Sequence, residues 1–283
     1  MSSSLEDLQL LDSFPWYSKL DSQWSISEDA ANKKLSNFIT TRIGRYKIDR
    51  DYPIKDSNSR LSPYIRFGMI SVNRIWWELL KINRNNGVIH YMSEIAWREF
   101  SYYLLYHFPN ISTENFQIKF DRFKWINNDS DIAAWKIGAT GYPIIDAAMK
   151  ELWQTGFMHN RMRMVVASFL VKNLLVDWRV GEKWFWECLV DADYASNVAG
   201  WQWAAGTGAD AAPYFRIFNP ILQGEKFDSE GEYTTKYLPE LSGFPLKFLQ
   251  KPWEHNLGLD YIKPIVDYKF SRQRSLEYYK KIK

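Results

Sequence analysis

The sequence is poor in cysteine, and Cys188 is the single one among 283 residues. No intramolecular disulfide can form, and with only four histidines a cysteine-rich structural zinc site is excluded. Long apolar runs are also missing. The longest, residues 164–171, has eight residues and contains Ser168, far short of the roughly 20 a bilayer-crossing helix needs. The opening Met-Ser-Ser-Ser-Leu-Glu-Asp has no basic stretch followed by an apolar one, so no secretory signal is read there. These absences suggest a soluble intracellular protein. Neither charge sign dominates: 36 Lys and Arg face 33 Asp and Glu, a net of +3. That leaves room for a local phosphate-binding patch without requiring one. No internal repeat or low-complexity block occurs. No G-x-G-x-x-G, P-loop, G-x-S-x-G or H-E-x-x-H motif is present. Clean apolar–polar alternation is scarce, so strands separated by helices, and hence a doubly wound sheet, are not expected.

What the chain has in plenty is aromatic: 14 Trp, 17 Tyr and 17 Phe. Large rings fill cores, and they also stack on bases and flat ligands. The dominant pattern is helical. Residues 1–26 lack it and read as a leader or remnant linker. From Ser27, a capping residue, apolar positions Ala31, Leu35, Phe38 and Ile39 recur at helical spacing. Residues 49–63 are polar and turn-rich, hence a loop. Ser71 opens a helix through Leu80, and Ser93 opens another that Pro109 ends. Thr140-Gly141-Tyr142-Pro143 is a helix start with Gly156 as its stop. Residues 159–175 predict one long helix, 181–189 a further one, and 271–282 the last. The fold class is all-α, with residues 27–283 forming one domain.

Four segments carry chemistry. Glu94, Trp97 and Arg98 stand at i, i+3 and i+4 and share a helix face; they can be a surface Glu94–Arg98 ion pair beside a half-buried Trp97, or the wall of a polar pocket. In His159–Met164, residues Asn160, Arg163 and Met164 share a face while Arg161 points elsewhere. Paired arginines can clamp phosphates, or simply begin a solvated amphipathic helix. Because residues 165–175 are strongly apolar, this polar end sits at a core boundary, where a pocket is natural. Asp191 and Asp193 accept hydrogen bonds from hydroxyls or arginines; such a pair also suits Mg²⁺ or acid–base work. The loop Asn58-Ser59-Arg60-Leu61-Ser62 can cradle a pyrophosphate or be a plain turn.

Taken together these segments are specific. Trp-Arg-Glu-Phe (97–100), Thr-Gly-Tyr-Pro-Ile-Ile-Asp-Ala-Ala-Met (140–149), His-Asn-Arg-Met-Arg-Met (159–164) and Gly-Trp-Gln-Trp-Ala-Ala-Gly-Thr-Gly-Ala-Asp-Ala-Ala-Pro-Tyr-Phe-Arg-Ile-Phe-Asn-Pro (200–220) resemble, in order and spacing, the photolyase/cryptochrome family, over residues 27–250. The Trp-Gln-Trp and His-Asn-Arg-x-Arg-Met forms look like class I cyclobutane pyrimidine dimer photolyases and unlike (6-4) photolyases. The resemblance implies a helical FAD-binding domain without the N-terminal α/β antenna domain, and therefore no antenna pigment on this chain.

By that match, Tyr46 and the loop Asn58, Ser59, Arg60, Leu61 and Ser62 hold the FAD phosphates. Arg98, Asp191, Ala192, Asp193 and Asn197 lie along the cofactor, Asn197 faces the flavin N5, and Arg163 pairs with Asp191. A flipped-out dimer packs on Trp97 and Trp203. Glu94 and Asn160 bond its base edges, Met164 lies over it, and Arg161 and Gln223 contact the strand. Trp201, Trp178 and Trp125 form an electron relay to the flavin. The implied activity is light-driven electron transfer from FADH⁻ to the dimer, making the chain a deoxyribodipyrimidine photo-lyase. The implied partner is damaged DNA, bound by a monomer in a bacterial cytoplasm or a eukaryotic nucleus, with an antenna domain or chain as a further partner. Asn58, where Thr is usual, and Tyr91, where Trp is common, depart from the pattern and put flavin affinity in doubt. Two alternatives are a cryptochrome-like photoreceptor without repair and a flavin-free DNA-binding module.

Overall fold

The computed structural model describes residue 4, residues 6–8, residue 10, residues 15–255 and residues 261–283. Of the expected leader, residues 1–3, 5, 9 and 11–14 lie outside the described residues. Within it a short helix, Ser18–Asp21, forms, against the expectation of no helix before Ser27. Among the described residues there is no strand, so the all-α expectation holds. The helices of eight residues or more are α1 (Glu28–Thr41), α2 (Val72–Leu80), α3 (Asn86–His107), α4 (Asp129–Ile137), α5 (Pro143–Thr155), α6 (Asn160–Ser168), α7 (Trp178–Cys188), α8 (Tyr194–Ala205), α9 (Pro220–Phe227) and α10 (Tyr268–Lys280). None of them is long and apolar enough to cross a membrane.

The caps read from sequence form as expected at α1 and α2. Ser27 accepts from the Ala30 amide at 3.0 Å and Ser71 from the Arg74 amide at 3.1 Å. Gly156 ends α5 in the left-handed conformation at φ 65°, as a C-terminal glycine does. Helix α3 departs from expectation. Asn85, not Ser93, starts it: the Asn85 side-chain oxygen Oδ1 accepts from the Gly87 and Val88 amides at 2.8 and 3.0 Å. That cap starts the helix upstream, and Ser93, already inside it, donates its hydroxyl to the Ile89 carbonyl. The extra turn also needs Gly87, because a Cβ there would sit 1.9 Å from the Ile43 carbonyl oxygen. The helix expected over 159–175 is shorter than its pattern suggests. After Ser168 it relaxes into a π-helical turn, Phe169–Asn173, and Leu175 leaves it at φ 56°.

Three hydrophobic clusters result among the described residues, and two of them frame the site. A smaller one holds Ala31, Leu35, Phe38, Ile75 and Leu79 from α1 and α2, with Val88, Tyr91 and Ile95 of α3. A larger one gathers α4 to α8 around Trp135, Trp178 and Phe169. Each fully buried ring of this kind contributes about 1.5–3 kcal/mol by leaving water. Helix α3 belongs to both. Its first half packs into the smaller cluster, while Leu104 and Leu105 pack against the larger. A 22-residue helix is roughly 33 Å long, enough to run along the seam between them.

Candidate active site

A cavity of about 680 Å³ opens at that seam, within the range of pockets that hold a large organic ligand. Its wall includes Tyr46, Asn58, Ser59, Arg60, Leu61 and Ser62 from the first part of the chain. Glu94, Trp97 and Arg98 of α3 follow, then Asn160, Arg163 and Met164 of α6. Asp191, Ala192, Asp193, Asn197, Trp201 and Trp203 complete it. Asn160, Arg163 and Met164 thus share the cavity face as their spacing predicts. Arg161, Gln223, Trp125 and Trp178 do not line it.

In the 58–62 loop, Arg60 adopts φ 50°, a left-handed conformation that costs a non-glycine residue on the order of 1 kcal/mol or more and recurs at ligand clamps. The Tyr91 hydroxyl holds the turn by donating to Ser59 Oγ at 2.9 Å. Burial pushes that phenol up to about 12, so it stays a donor at neutral pH.

The two aspartates are committed to arginines. Asp193 caps α8, one oxygen accepting from the Ser196 amide at 2.9 Å. Its other oxygen accepts from Arg98 Nη2 at 2.7 Å and from the Tyr102 hydroxyl. Burial alone would raise this carboxyl, but the Tyr102 and Ser196 hydrogen bonds and the Arg98 charge outweigh it and hold it below its ordinary value. Asp191 takes Arg163 Nη2 on both oxygens, at 3.0 and 2.9 Å. Asn197 gives its amide nitrogen to the Glu182 carbonyl at 3.0 Å and the Glu182 carboxylate at 2.8 Å, which leaves Oδ1 for a donor from elsewhere. Among the described residues no cluster of three or more His, Cys, Asp or Glu is placed to hold a metal, and the Mg²⁺ option for Asp191 and Asp193 yields to the arginines.

Glu94 and Arg98 do not pair with each other. Arg98 turns to Asp193, and Glu94 is held by Arg50, whose Nη1 also lies 2.8 Å from His90 Nε2. Arg161 points away from the cavity, bonding Asp51 at 2.6 Å and standing over the Phe227 ring at 4.5 Å. Arg50, His90, Tyr102 and Glu182 were not reached from the sequence. For His90 a signal existed, since it shares a helix face with Glu94 four residues on; for Arg50 none did.

Trp201 is buried at the cavity wall with its ring 4.9 Å from Phe185 and 6.1 Å from Trp135. A Cβ on Gly181 would stand 2.1 Å from its ring, so Trp201 lies directly on α7, one turn from Trp178. Trp178 is fully buried and donates to Asn115 at 2.9 Å. Trp125 is partly buried, 4.5 Å from Phe123.

An all-helical unit with a large, arginine-lined cavity between two cores defines a class of ligand-binding helical domain. Comparison with known proteins names it. Residues 91–281 match the model of the FAD binding domain of DNA photolyase. The chain is 46% identical to the deoxyribodipyrimidine photo-lyase of Agrobacterium fabrum, over 100% of this chain and 62% of that protein. It is 43% identical to the Escherichia coli enzyme of the same name, over 94% of this chain and 58% of that one. The crystal structure of a class III photolyase from Agrobacterium tumefaciens superposes with a TM-score of 0.94 at 45% identity, covering 99% of this chain and 61% of its own. A Synechocystis cryptochrome gives 0.85 at 32% identity, covering 90% and 56%. The chain therefore belongs to the photolyase FAD-binding domain family. It spans about three-fifths of the length of these relatives. The expectation of class I is carried no further than the family, since the structure at TM-score 0.94 is that of a class III photolyase.

The cofactor of this family is FAD, and the residues present suit it. The cavity combines hydroxyls at Ser59 and Ser62 with arginine-backed carboxylates and apolar walls. Ser196 Oγ and Trp201 Nε1 are buried without a hydrogen-bond partner among the described residues, as expected beside a polar ligand. Asn58 and Tyr91, the departures from the family pattern, both line the cavity.

Proposed function

We propose that this chain repairs cyclobutane pyrimidine dimers in DNA, using FAD and blue or near-UV light. The observation that carries the reading is the gradient along one cavity. Its inner wall holds the buried Asp191, Asp193 and Asn197, while Trp97 is half exposed, and Met164 and Trp203 are partly buried. A cofactor and a flipped base can meet there.

Tyr46 and residues 58–62 would hold the FAD phosphates, and Arg98, Arg163, Ala192, Asp193 and Asn197 would flank the rest. The chemistry bound, reduced FAD supplies on absorbing light is one-electron donation to the dimer, with return of the electron after the ring opens. Trp97 and Trp203 stack on the dimer and exclude water, and Met164 covers it. Glu94 and Asn160 bond its base edges, and Arg50 behind Glu94 places positive charge near the negative charge that develops there. Trp201, Trp178 and Trp125 conduct electrons inward. Arg161 and Gln223 contact the strand, Arg161 after leaving Asp51. The unit responsible is residues 27–283, acting as a monomer on damaged DNA.

The test is repair of a thymine-dimer oligonucleotide by FAD-loaded, pre-reduced protein in blue light and in the dark. Light-dependent repair is expected. No repair with flavin bound would move the reading to a signalling photoreceptor, and a folded protein that takes up no FAD would leave a DNA-binding module.

A further inference from the structure

His90 and Glu94 share one face of α3, and Arg50 reaches both. Its Nη1 lies 2.8 Å from His90 Nε2 and donates to Glu94 Oε1. A guanidinium has donors only. His90 Nε2 is therefore the acceptor, which puts the single ring proton on Nδ1 and leaves the imidazole neutral. Nη1 carries two hydrogens, one for each partner. The other groups around His90 are few. The Tyr46 ring is 6.1 Å away between centroids, Glu94 Oε1 is 3.7 Å from Nε2, and Asp51 stands 3.9 Å from Arg50 Nε. Both contacts to Glu94 use Oε1, so Oε2 is left for what enters the cavity that Glu94 lines.

We propose that His90 is a positioning residue for dimer recognition: by accepting one hydrogen of Arg50 it fixes the guanidinium, and through it the orientation in which Glu94 offers Oε2 to an N–H on the pairing edge of a flipped base. The proposal rests on the reading of Glu94 as a substrate contact. No change is expected at the Asp191 and Asp193 end of the cavity.

The experiment uses the FAD-loaded full chain. Nitrogen-15 NMR of the imidazoles above neutral pH is expected to show His90 with a bare Nε2 and a protonated Nδ1. Affinity for a thymine-dimer oligonucleotide is then compared for wild type, His90→Gln and His90→Leu. His90→Leu loses the acceptor and binds about three- to tenfold more weakly, the range of one hydrogen bond. His90→Gln keeps an acceptor, so it restores affinity. A protonated Nε2 above neutrality, or a His90→Leu protein with wild-type affinity, overturns the proposal. A wild-type protein that neither binds nor repairs dimer DNA would defeat the functional reading and the recognition role with it; the ring-nitrogen spectrum separates that failure from one at His90.

Discussion

Arg163 spans Asp191 with a single nitrogen, Nη2 lying 3.0 and 2.9 Å from the two carboxylate oxygens, while its Nε donates to the Met158 carbonyl at 2.8 Å. The first turn of α6 is thereby tied to the segment between α7 and α8. Removing the arginine strands a carboxylate that is 3% exposed. Arg163→Met is expected to cost about 3 kcal/mol, the lower end for breaking a buried pair, and to release FAD. Urea unfolding and flavin content measure both; unchanged values would refute the pairing.

Asp193 predicts an acid limit. Its folded carboxyl titrates below its ordinary value, so the stability it contributes is fully present at neutral pH. That stability is lost as pH falls below about 4 and through the folded value. Asp193→Asn should be less stable than wild type at neutrality, with the gap closing in acid. Thermal unfolding of the two across that range checks the sign.

Lys172 predicts the opposite end. It is 1% exposed, donates to the Arg216 carbonyl at 3.0 Å, and burial lowers it to about 7. The unfolded chain binds the extra proton between that value and the ordinary lysine range, so wild-type stability rises with pH there. The slope is at most about 1.4 kcal/mol per pH unit. Lys172→Met should lack the slope. Parallel stability curves for the two proteins would show that Lys172 stays charged.

Gly181 sits under Trp201. Gly181→Ala forces the ring away and is expected to cost about 1–3 kcal/mol by overpacking. Trp201→Phe should block photoreduction of oxidised flavin yet spare repair after chemical reduction. Normal photoreduction in Trp201→Phe would remove Trp201 from the relay.

Glu94→Ala should weaken dimer binding about tenfold or more, the loss of a hydrogen bond to a charged group, and lower repair yield. FAD should stay bound, because Glu94 is tied to Arg50 rather than to Asp191 or Asp193. Flavin loss in this variant would place Glu94 at the cofactor.

Helical periodicity in the sequence was enough to determine the all-α class, the caps at Ser27 and Ser71 and the stop at Gly156. It also determined which residues share a face: Glu94, Trp97 and Arg98 on one helix, Asn160, Arg163 and Met164 on another. Those features depend on contacts within about four residues, and local spacing encodes them. The choice of Asn85 over Ser93 as a cap needed more, because Gly87 must also clear the Ile43 carbonyl. Only the tertiary structure decided the partners. Arg50 reaches Glu94 across 44 residues and Arg98 reaches Asp193 across 95. A side chain's own sequence says what it can bond, but long-range packing of α3 between two cores decides which opposite charge arrives beside it.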